Sequence, residues 1–549
     1  MIKSDTRLQV MWNRLLALVE EQGMALIRAA FSPIVRECGD ISAGIFDGQG
    51  QMLAQAVTGT PGHINTMAEA VKTLRAKIGV QHMKPGDIYM TNDPWIASGH
   101  LNDFLLMMPV FHDGEIVGFT SCTSHLVDLG GLGMGPEGSD IYDEGLLIPP
   151  CKLVDRGEIN ALLLEIVKAN SREPIANEGD IYALIACCEA GAGKLLQMMK
   201  EFSISDLEAL SDYIIETSRQ GTLAAIKDLP AGSWESALTV DGYDQPVDLR
   251  ATLTISDDQV LLDFSGTDPC VGKGINVPLN YATAYSVFAL RCIIGPDIPN
   301  NAGSLAPFKV VAPKGCILNA QPPAPVAMRH TIGQMTPDLV YGCLSQAVPQ
   351  LIPAEGASCM YDLPLRYTPD AIDRGGTHFA VELVFNGGTG ARPDFDGLSA
   401  TAFPSGVWGS QVETTEATAP ILFHRRELRT DSGGAGRKRG GLGQQIEITS
   451  STNEDFLVFL SVERIVNPAK GRSGGLDGAP GRIRIGKNGK DLPGKGELRV
   501  AGGERLIFET PGGGGYGRPN EREAEALEKD VANGIVSPEA ARTKYGKAT

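Results

Sequence analysis

The hydrophobic period of this chain turns from helical to alternating near residue 230, and that change limits the architectures open to it. Before it, helical and strand patterns are mixed. Leu8, Met11, Leu15 and Leu18 form one stripe of an opening helix, and Met67, Val71, Leu74 and Ile78 form another that Gly79 ends. ISAGIFDGQGQMLAQA predicts a hairpin turning near Asp47-Gly48. Phe104 to Phe111 and Glu115 to Thr123 predict a second around Asp113-Gly114, a strong two-residue turn signal. Helices are expected at 160–169, 181–202 and 206–227. After Leu229-Pro230-Ala231-Gly232 the pattern alternates, with Val247, Leu249, Ala251, Leu253 and Ile255 on one face. Helices around 282–292 and 337–347 follow, then strands in glycine-rich connections from Thr430 to Gly517 and short helices from Pro519 and Ser537.

The expected fold class is therefore α+β, or mixed α/β, and multidomain: a mixed helix-sheet N-terminal domain followed by a strand-rich, glycine-rich C-terminal half. The boundaries expected are 1–230 for a metal-binding catalytic domain, 231–425 for a mixed α/β middle domain, 426–518 for a glycine-rich β region and 519–549 for a helical tail. Of the 66 glycines in 549 residues, 22 fall between Asp431 and Gly517, so the excess is not spread as general flexibility. It reads as a framework of tight turns and close backbone packing at a domain or subunit contact.

The formal charge of −18 argues against nucleic acid or an anionic membrane as partner, since both are bound through clustered cations. No segment approaches the roughly 20 apolar residues that cross a bilayer, and the N-terminus lacks the apolar core of a secretory signal. The ten cysteines include no CxxC, so reduced thiols in a cytoplasmic protein are expected. There is no GxxxxGK[ST] and no HExxH. The glycine runs 133–138 and 512–517 match a dinucleotide pattern but lack the leading strand or the following chain it needs. No ATP site is recognisable.

Chemistry gathers elsewhere. Two of the eight histidines head the same pattern, His100-Leu-Asn-Asp103 and His125-Leu-Val-Asp128, one before the second hairpin's first strand and one after its second. With Asp113-Gly114 as the turn, paired residues sum to 227, so Asn102 faces His125 and Asp103 faces Ser124. Neighbours across a ladder lie about 5 Å apart, which lets His100, Asp103 and His125 converge on one ion. Two imidazoles and a carboxylate suit Zn, Mn or Fe(II). The plainer alternative is polar residues capping strand ends. Asp40 is a candidate further ligand or a turn aspartate, Asp128 a general base or an orienting group, and His63 a site residue or a helix cap. Arg425, Arg426, Arg429, Arg437, Lys438 and Arg439 form a basic cluster that either guides a phosphorylated intermediate or nucleotide at a subunit boundary, or is a solvated loop or an intersubunit salt-bridge patch.

The run GDIYMTNDPWIASGHLNDFLLMMPVF, then SHLVDLGG and EGLLIPPCKL, resembles the hydantoinase B family, as do DFSGTDP, NAQPPAPVAMR, GGAGRKRGGLG, TPGGGGYG and the tail VSPEAARTKYG. That family includes hydantoinase and oxoprolinase B-type subunits, the caprolactamase beta subunit and the acetone carboxylase alpha subunit. The resemblance implies a metal centre on His100, Asp103 and His125 with the upstream Asp at Asp40. Where the family usually reads GGTH, this chain has ASGH at 97–100. It also implies a partner, an A-type subunit that carries ATP and Mg and phosphorylates a cyclic amide, in a heterotetramer. Water activated by the divalent ion would then open the ring. The alternatives are the metal subunit of an ATP-dependent ketone carboxylase and a non-catalytic scaffold subunit.

Overall fold

The computed structural model describes residues 2–57 and 60–546. Helix α1 (Ile2–Ala29) and a single turn, α2 (Pro33–Arg36), lead into a seven-stranded antiparallel sheet of order β2-β1-β5-β4-β3-β6-β7. Its strands are β1 (Ile41–Asp47), β2 (Met52–Gln55), β3 (Ile88–Thr91), β4 (Asp103–His112), β5 (Glu115–His125), β6 (Cys151–Asp155) and β7 (Glu158–Ile159). Helix α3 (Pro61–Ile78) interrupts the early strands, and α4 (Ala161–Ala169), α5 (Pro174–Phe202) and α6 (Glu208–Lys227) follow them. The predicted helices form, and α5 starts earlier than its periodicity indicated, with Pro174 in its first turn.

Both faces of the sheet are buried, and strand alternation sorts the side chains between them. Phe104 and Leu106 share a core with Leu15 and Leu18 of α1 and with Leu184 of α5. Leu105, Met107 and Phe119 point the other way, onto Met67, Val71 and Leu74 of α3. Odd-numbered positions of β4 and of the far half of β5 therefore look toward α3. Asp103 and His125 are the terminal members of those two rows.

The β4–β5 hairpin turns at Asp113 and Gly114, which both have positive φ (48° and 88°) as a twist-matched two-residue turn requires. The register differs from the bulge-free expectation. Next to the turn, paired residues sum to 227, as His112 with Glu115. Beyond a bulge at Val117 they sum to 228, and Asp103 pairs with His125. One extra residue on β5 thus brings His125 onto the face that Asp103 occupies; without it Ser124 would stand there and His125 would look toward α5.

A second sheet, β11-β10-β9-β8, is built from β8 (Gly232–Val240), β9 (Val247–Ile255), β10 (Val260–Asp263) and β11 (Phe308–Val311). It begins where the period changes. Helix α7 (Leu279–Ile293) packs between this sheet and α3. The contact to α3 is close: a Cβ on Gly62 would lie 2.4 Å from the Tyr281 ring, so the α3 N-terminus sits against α7 with no room for a side chain.

Two further four-stranded sheets share one apolar core that includes Leu363, Phe385, Ile446, Val458 and Phe508. One has the order β13-β12-β16-β18 and the other β14-β15-β19-β17. Their strands are β12 (Tyr361–Tyr367), β13 (Ala380–Phe385), β14 (Ile421–Leu428), β15 (Gln444–Ser450), β16 (Phe456–Ser461), β17 (Arg482–Ile485), β18 (Lys495–Val500) and β19 (Leu506–Glu509). The boundary expected at 425/426 falls inside β14, and β12 pairs with β16 across it.

Beside this pair of sheets, glycine-rich stretches pack backbone against backbone. Gly513 N donates to Gly441 O (3.0 Å), Gly434 N to Gly513 O (2.8 Å) and Gly441 N to Thr389 O (2.9 Å). A Cβ on Gly513 would meet Thr389 O at 1.9 Å, and one on Gly388 would meet Gly441 O at the same distance. The chain ends in a short 3-10 turn at Pro519–Glu521 and helices Ala524–Ala532 and Pro538–Thr543, the last capped by Ser537 Oγ accepting from Ala540 N (3.1 Å). No helix among the described residues is long and apolar enough to cross a membrane.

Candidate metal centre

Three segments meet at the open ends of β4 and β5. The loop before β4 carries His100 and is pinned by Asn92, whose side-chain amide donates to Leu101 O and Leu146 O (2.8 Å each). Gly99 has φ +89° and a Cβ there would come within 3.0 Å of Tyr281, so glycine is required immediately before His100. The N-terminal turn of α3 brings His63. The proline-rich stretch 321–330 passes alongside and contributes Ala327, Arg329 and His330, held from behind by Glu144 Oε1, which accepts from Val326 N and Ala327 N (2.6 and 2.8 Å).

Asp103, fully buried, is the hub. Its Oδ1 lies 2.8 Å from His100 Nε2 and 3.3 Å from His125 Nδ1; its Oδ2 lies 2.9 Å from His63 Nε2 and 2.6 Å from Arg329 Nη2. One donor atom from each of His100, Asp103 and His125 falls within 4.8 Å of the others, the single such group among the described residues. Asp40 reaches the cluster through His63, with Oδ1 3.5 Å from His63 Nδ1, and also accepts from Thr60 Oγ1 (2.7 Å).

The protonation logic of these contacts favours a cation. His100 Nδ1 lies 2.9 Å from Ala327 O, a carbonyl that only accepts, so Nδ1 carries the proton. Burial, then the Arg329 charge, pushes His100 down to about 4, leaving the ring neutral near pH 7. Its Nε2 therefore offers a lone pair to an Asp103 oxygen 2.8 Å away, acceptor against acceptor, and it is a buried nitrogen with no hydrogen-bond partner. A positive ion between them removes that conflict. The donor set, two imidazoles and a carboxylate in a buried site, fits a divalent transition metal.

The remaining groups are tuned differently. Burial pulls His63 down, but Asp103 and Asp40 outweigh it and hold the imidazole above its ordinary value. Burial is likewise outweighed at His125, where Glu382 and Asp103 raise it well above. Asp103 is held well below its ordinary range because the positive charges beside it, His63 and Arg329 among them, overcome its desolvation. Arg329 also lies over the Tyr281 ring, 4.4 Å from its centroid.

The family model for hydantoinase B/oxoprolinase matches residues 4–519. The chain belongs to the hydantoinase B/oxoprolinase family. The caprolactamase subunit beta of Pseudomonas jessenii is 29% identical to it, over 96% of this chain and 93% of that one. The crystal structure of the ATP-dependent caprolactamase from Pseudomonas jessenii superposes with a TM-score of 0.89 at 26% identity, covering 99% of this chain and 96% of that one. A nucleotide-free acetone carboxylase structure gives a TM-score of 0.88 at 20% identity, covering 100% and 80%, a likeness of fold.

Within this family member the other residues singled out by sequence fall outside the cluster. Asp128 turns to Arg172: its Oδ1 accepts from Arg172 Nη1 and its Oδ2 from Arg172 N (2.5 Å each). A carboxylate engaged in this way fastens the loop after β5 to the residues before α5. The five arginines of the basic cluster make contacts within the chain. Arg429 pairs with Glu509 (3.1 Å), Arg439 with Asp530 (3.4 Å) and Arg425 with Glu427 (3.5 Å), while Arg426 donates to Ser410 O and Arg437 to Pro393 O. Three of the six cations are thus paired with carboxylates of this chain.

Four residues that sequence reasoning gave no role stand at the site: Arg329, His330, Asp362 and Glu382. Arg329 lay within a family motif without a function. Asp362 and Glu382 are single carboxylates in the apolar strands YDLPLRY and AVELVF, an anomaly readable in the sequence. Burial and then Glu382 hold the Asp362 carboxyl well above its ordinary range, whereas at Glu382 the His125 charge outweighs burial and keeps it ionised.

Proposed function

We propose that this chain is the B-type subunit of an ATP-dependent hydrolase that opens a cyclic amide, either a hydantoin, 5-oxoproline or a lactam. It acts with an A-type ATP-binding subunit in a heterotetramer. One contact carries this reading in a chain of this family: the buried His100 lone pair 2.8 Å from the Asp103 carboxylate, with His125 converging on the same oxygen. His100, Asp103 and His125, with Asp40 as a further donor, would hold a Zn, Mn or Fe ion. Such an ion, when bound, supplies Lewis acidity and lowers the pKa of water toward neutrality.

An unstrained amide carbonyl is a poor electrophile. Phosphorylation of its oxygen by the partner, which would hold ATP and Mg, makes the ring carbon open to water. Water adds to that carbon, the C–N bond breaks and the departing nitrogen takes a proton; the acyl phosphate so left is hydrolysed by a second water to the carboxylate and inorganic phosphate. His63, held between Asp40 and Asp103 and retaining its proton to higher pH than a free imidazole, is the proposed donor. Arg329 keeps Asp103 charged and oriented through its 2.6 Å contact.

Purified with its partner subunit, the chain should cleave ATP in step with ring opening of one member of a panel of hydantoins, 5-oxoproline and lactams, without added bicarbonate. Turnover that depends on bicarbonate and consumes a ketone would replace this reading with the carboxylase one. Absence of any stoichiometric metal would replace it with a scaffold role.

A further inference from the structure

Glu382 comes from the opposite half of the chain to the ligands it meets. It lies on β13, opposite Pro364 of β12, in a sheet whose strands all fall after residue 360. Its neighbours on that strand are Val381, Leu383, Val384 and Phe385, all buried, so a carboxylate there has no packing rationale. It reaches the first sheet. Its Oε2 lies 3.0 Å from Nε2 of His125, with the two side chains 4% and 2% exposed; the contact is short of full hydrogen-bond alignment, and neither atom has a hydrogen-bond partner elsewhere. The other His125 nitrogen, Nδ1, is the one directed at Asp103 Oδ1.

An imidazole that binds a cation through one nitrogen must present its proton on the other, and what that proton meets fixes the ring's tautomer and rotation. We infer that Glu382 is a positioning residue for the metal centre: it accepts Nε2–H of His125, so that Nδ1 turns its lone pair toward Asp103 and His100. Asp362, on the adjacent strand β12 and fully enclosed, feels the Glu382 charge, which with burial holds its carboxyl well above the ordinary range, and His330 Nε2 lies 3.9 Å from Asp362 Oδ2. The same role is filled for His100 by a backbone carbonyl, Ala327 O at 2.9 Å. Each ligand histidine therefore has one outer acceptor, one supplied by the middle of the chain and one by the C-terminal sheet pair.

This inference rests on the metal reading above, and its test separates the two. The chain with its partner subunit is titrated with Zn²⁺ against a competing chelator, for the wild type and for Glu382→Ala, Glu382→Gln and Glu382→Asp. Wild type and all three variants are expected to bind one ion per chain at saturation. The dissociation constant should rise about 10- to 100-fold for Glu382→Ala, with partial recovery in Glu382→Asp. Glu382→Gln keeps the size of the side chain but offers a weaker acceptor, and should fall between. Loaded with Mn²⁺, the variants should also show an altered electron paramagnetic resonance spectrum, which a loss of packing alone would not produce. Wild-type Zn²⁺ affinity and an unchanged Mn²⁺ spectrum in Glu382→Gln and Glu382→Ala would overturn the role of Glu382 while leaving the metal intact. No binding by the wild type itself would overturn the parent reading.

Discussion

Asp103 stands directly across from His125 in the β4–β5 ladder because β5 carries one extra residue at Val117. The carboxylate so placed faces His63, His100, His125 and Arg329 together. Asp103→Asn keeps its shape and removes its charge. Metal affinity should fall by more than about 100-fold, with turnover lost in parallel. Metal analysis after dialysis checks this, and a variant that keeps both its ion and its turnover would sink the assignment.

His63 belongs to the site without belonging to the three converging donors, since its two nitrogens face Asp40 and Asp103. His63→Gln should therefore keep its ion within a few fold while kcat drops about 10²- to 10⁴-fold, the range for losing a positioned proton donor. Parallel loss of metal and kcat would instead make His63 a ligand.

Glu144 gives a pH signature. Burial, against two backbone amides from 326 and 327, raises it to about 8 from an ordinary 4.5. Because the folded value is the higher one, stability from this group is fully present below the unfolded pKa and is lost as pH rises toward 8. Between pH 5 and pH 8 the loss should be about 3 kcal/mol at roughly 1.4 kcal/mol per pKa unit. Urea unfolding of Glu144→Gln should lack that component. An identical pH slope in wild type and variant would show that Glu144 is ionised throughout.

Two glycines separate close packing from helix propensity. Gly513→Ala forces a Cβ to 1.9 Å from Thr389 O and should cost about 3 kcal/mol or more. Gly193 is exposed on α5, and a Cβ added there would meet nothing within 4 Å, so it should gain roughly 0.5–1 kcal/mol as alanine. Thermal melts of the two variants in opposite directions are expected; equal shifts would refute the packing account.

The sequence made the helices, the hairpins and the change of architecture near 230 legible because each is a local pattern. It also made His100, Asp103 and His125 visible as a group, while assigning a register that would have put His125 on the wrong face. A bulge is one residue of slack, and nothing in EIVGFTSCTSH marks where that slack is absorbed; the bulge falls just before Gly118, from which β5 keeps an unbroken register with β1. Arg329 and Glu382 lie more than 200 residues along the chain from Asp103, and only the docking of three sheets brings them near. Spacing carries no information about such docking.

The bundle of glycine stretches has a genetic corollary. Every missense change of one base in a glycine codon installs alanine, serine, cysteine, valine, aspartate, glutamate, arginine or tryptophan, and each of these has a Cβ. Where backbones pack as they do at Gly388, Gly440 and Gly513, so that an added Cβ would fall under 2 Å from a neighbouring carbonyl oxygen, none of these replacements fits. That part of the chain has no short mutational path leading away from it, and variation among related proteins must be sought in the loops around it.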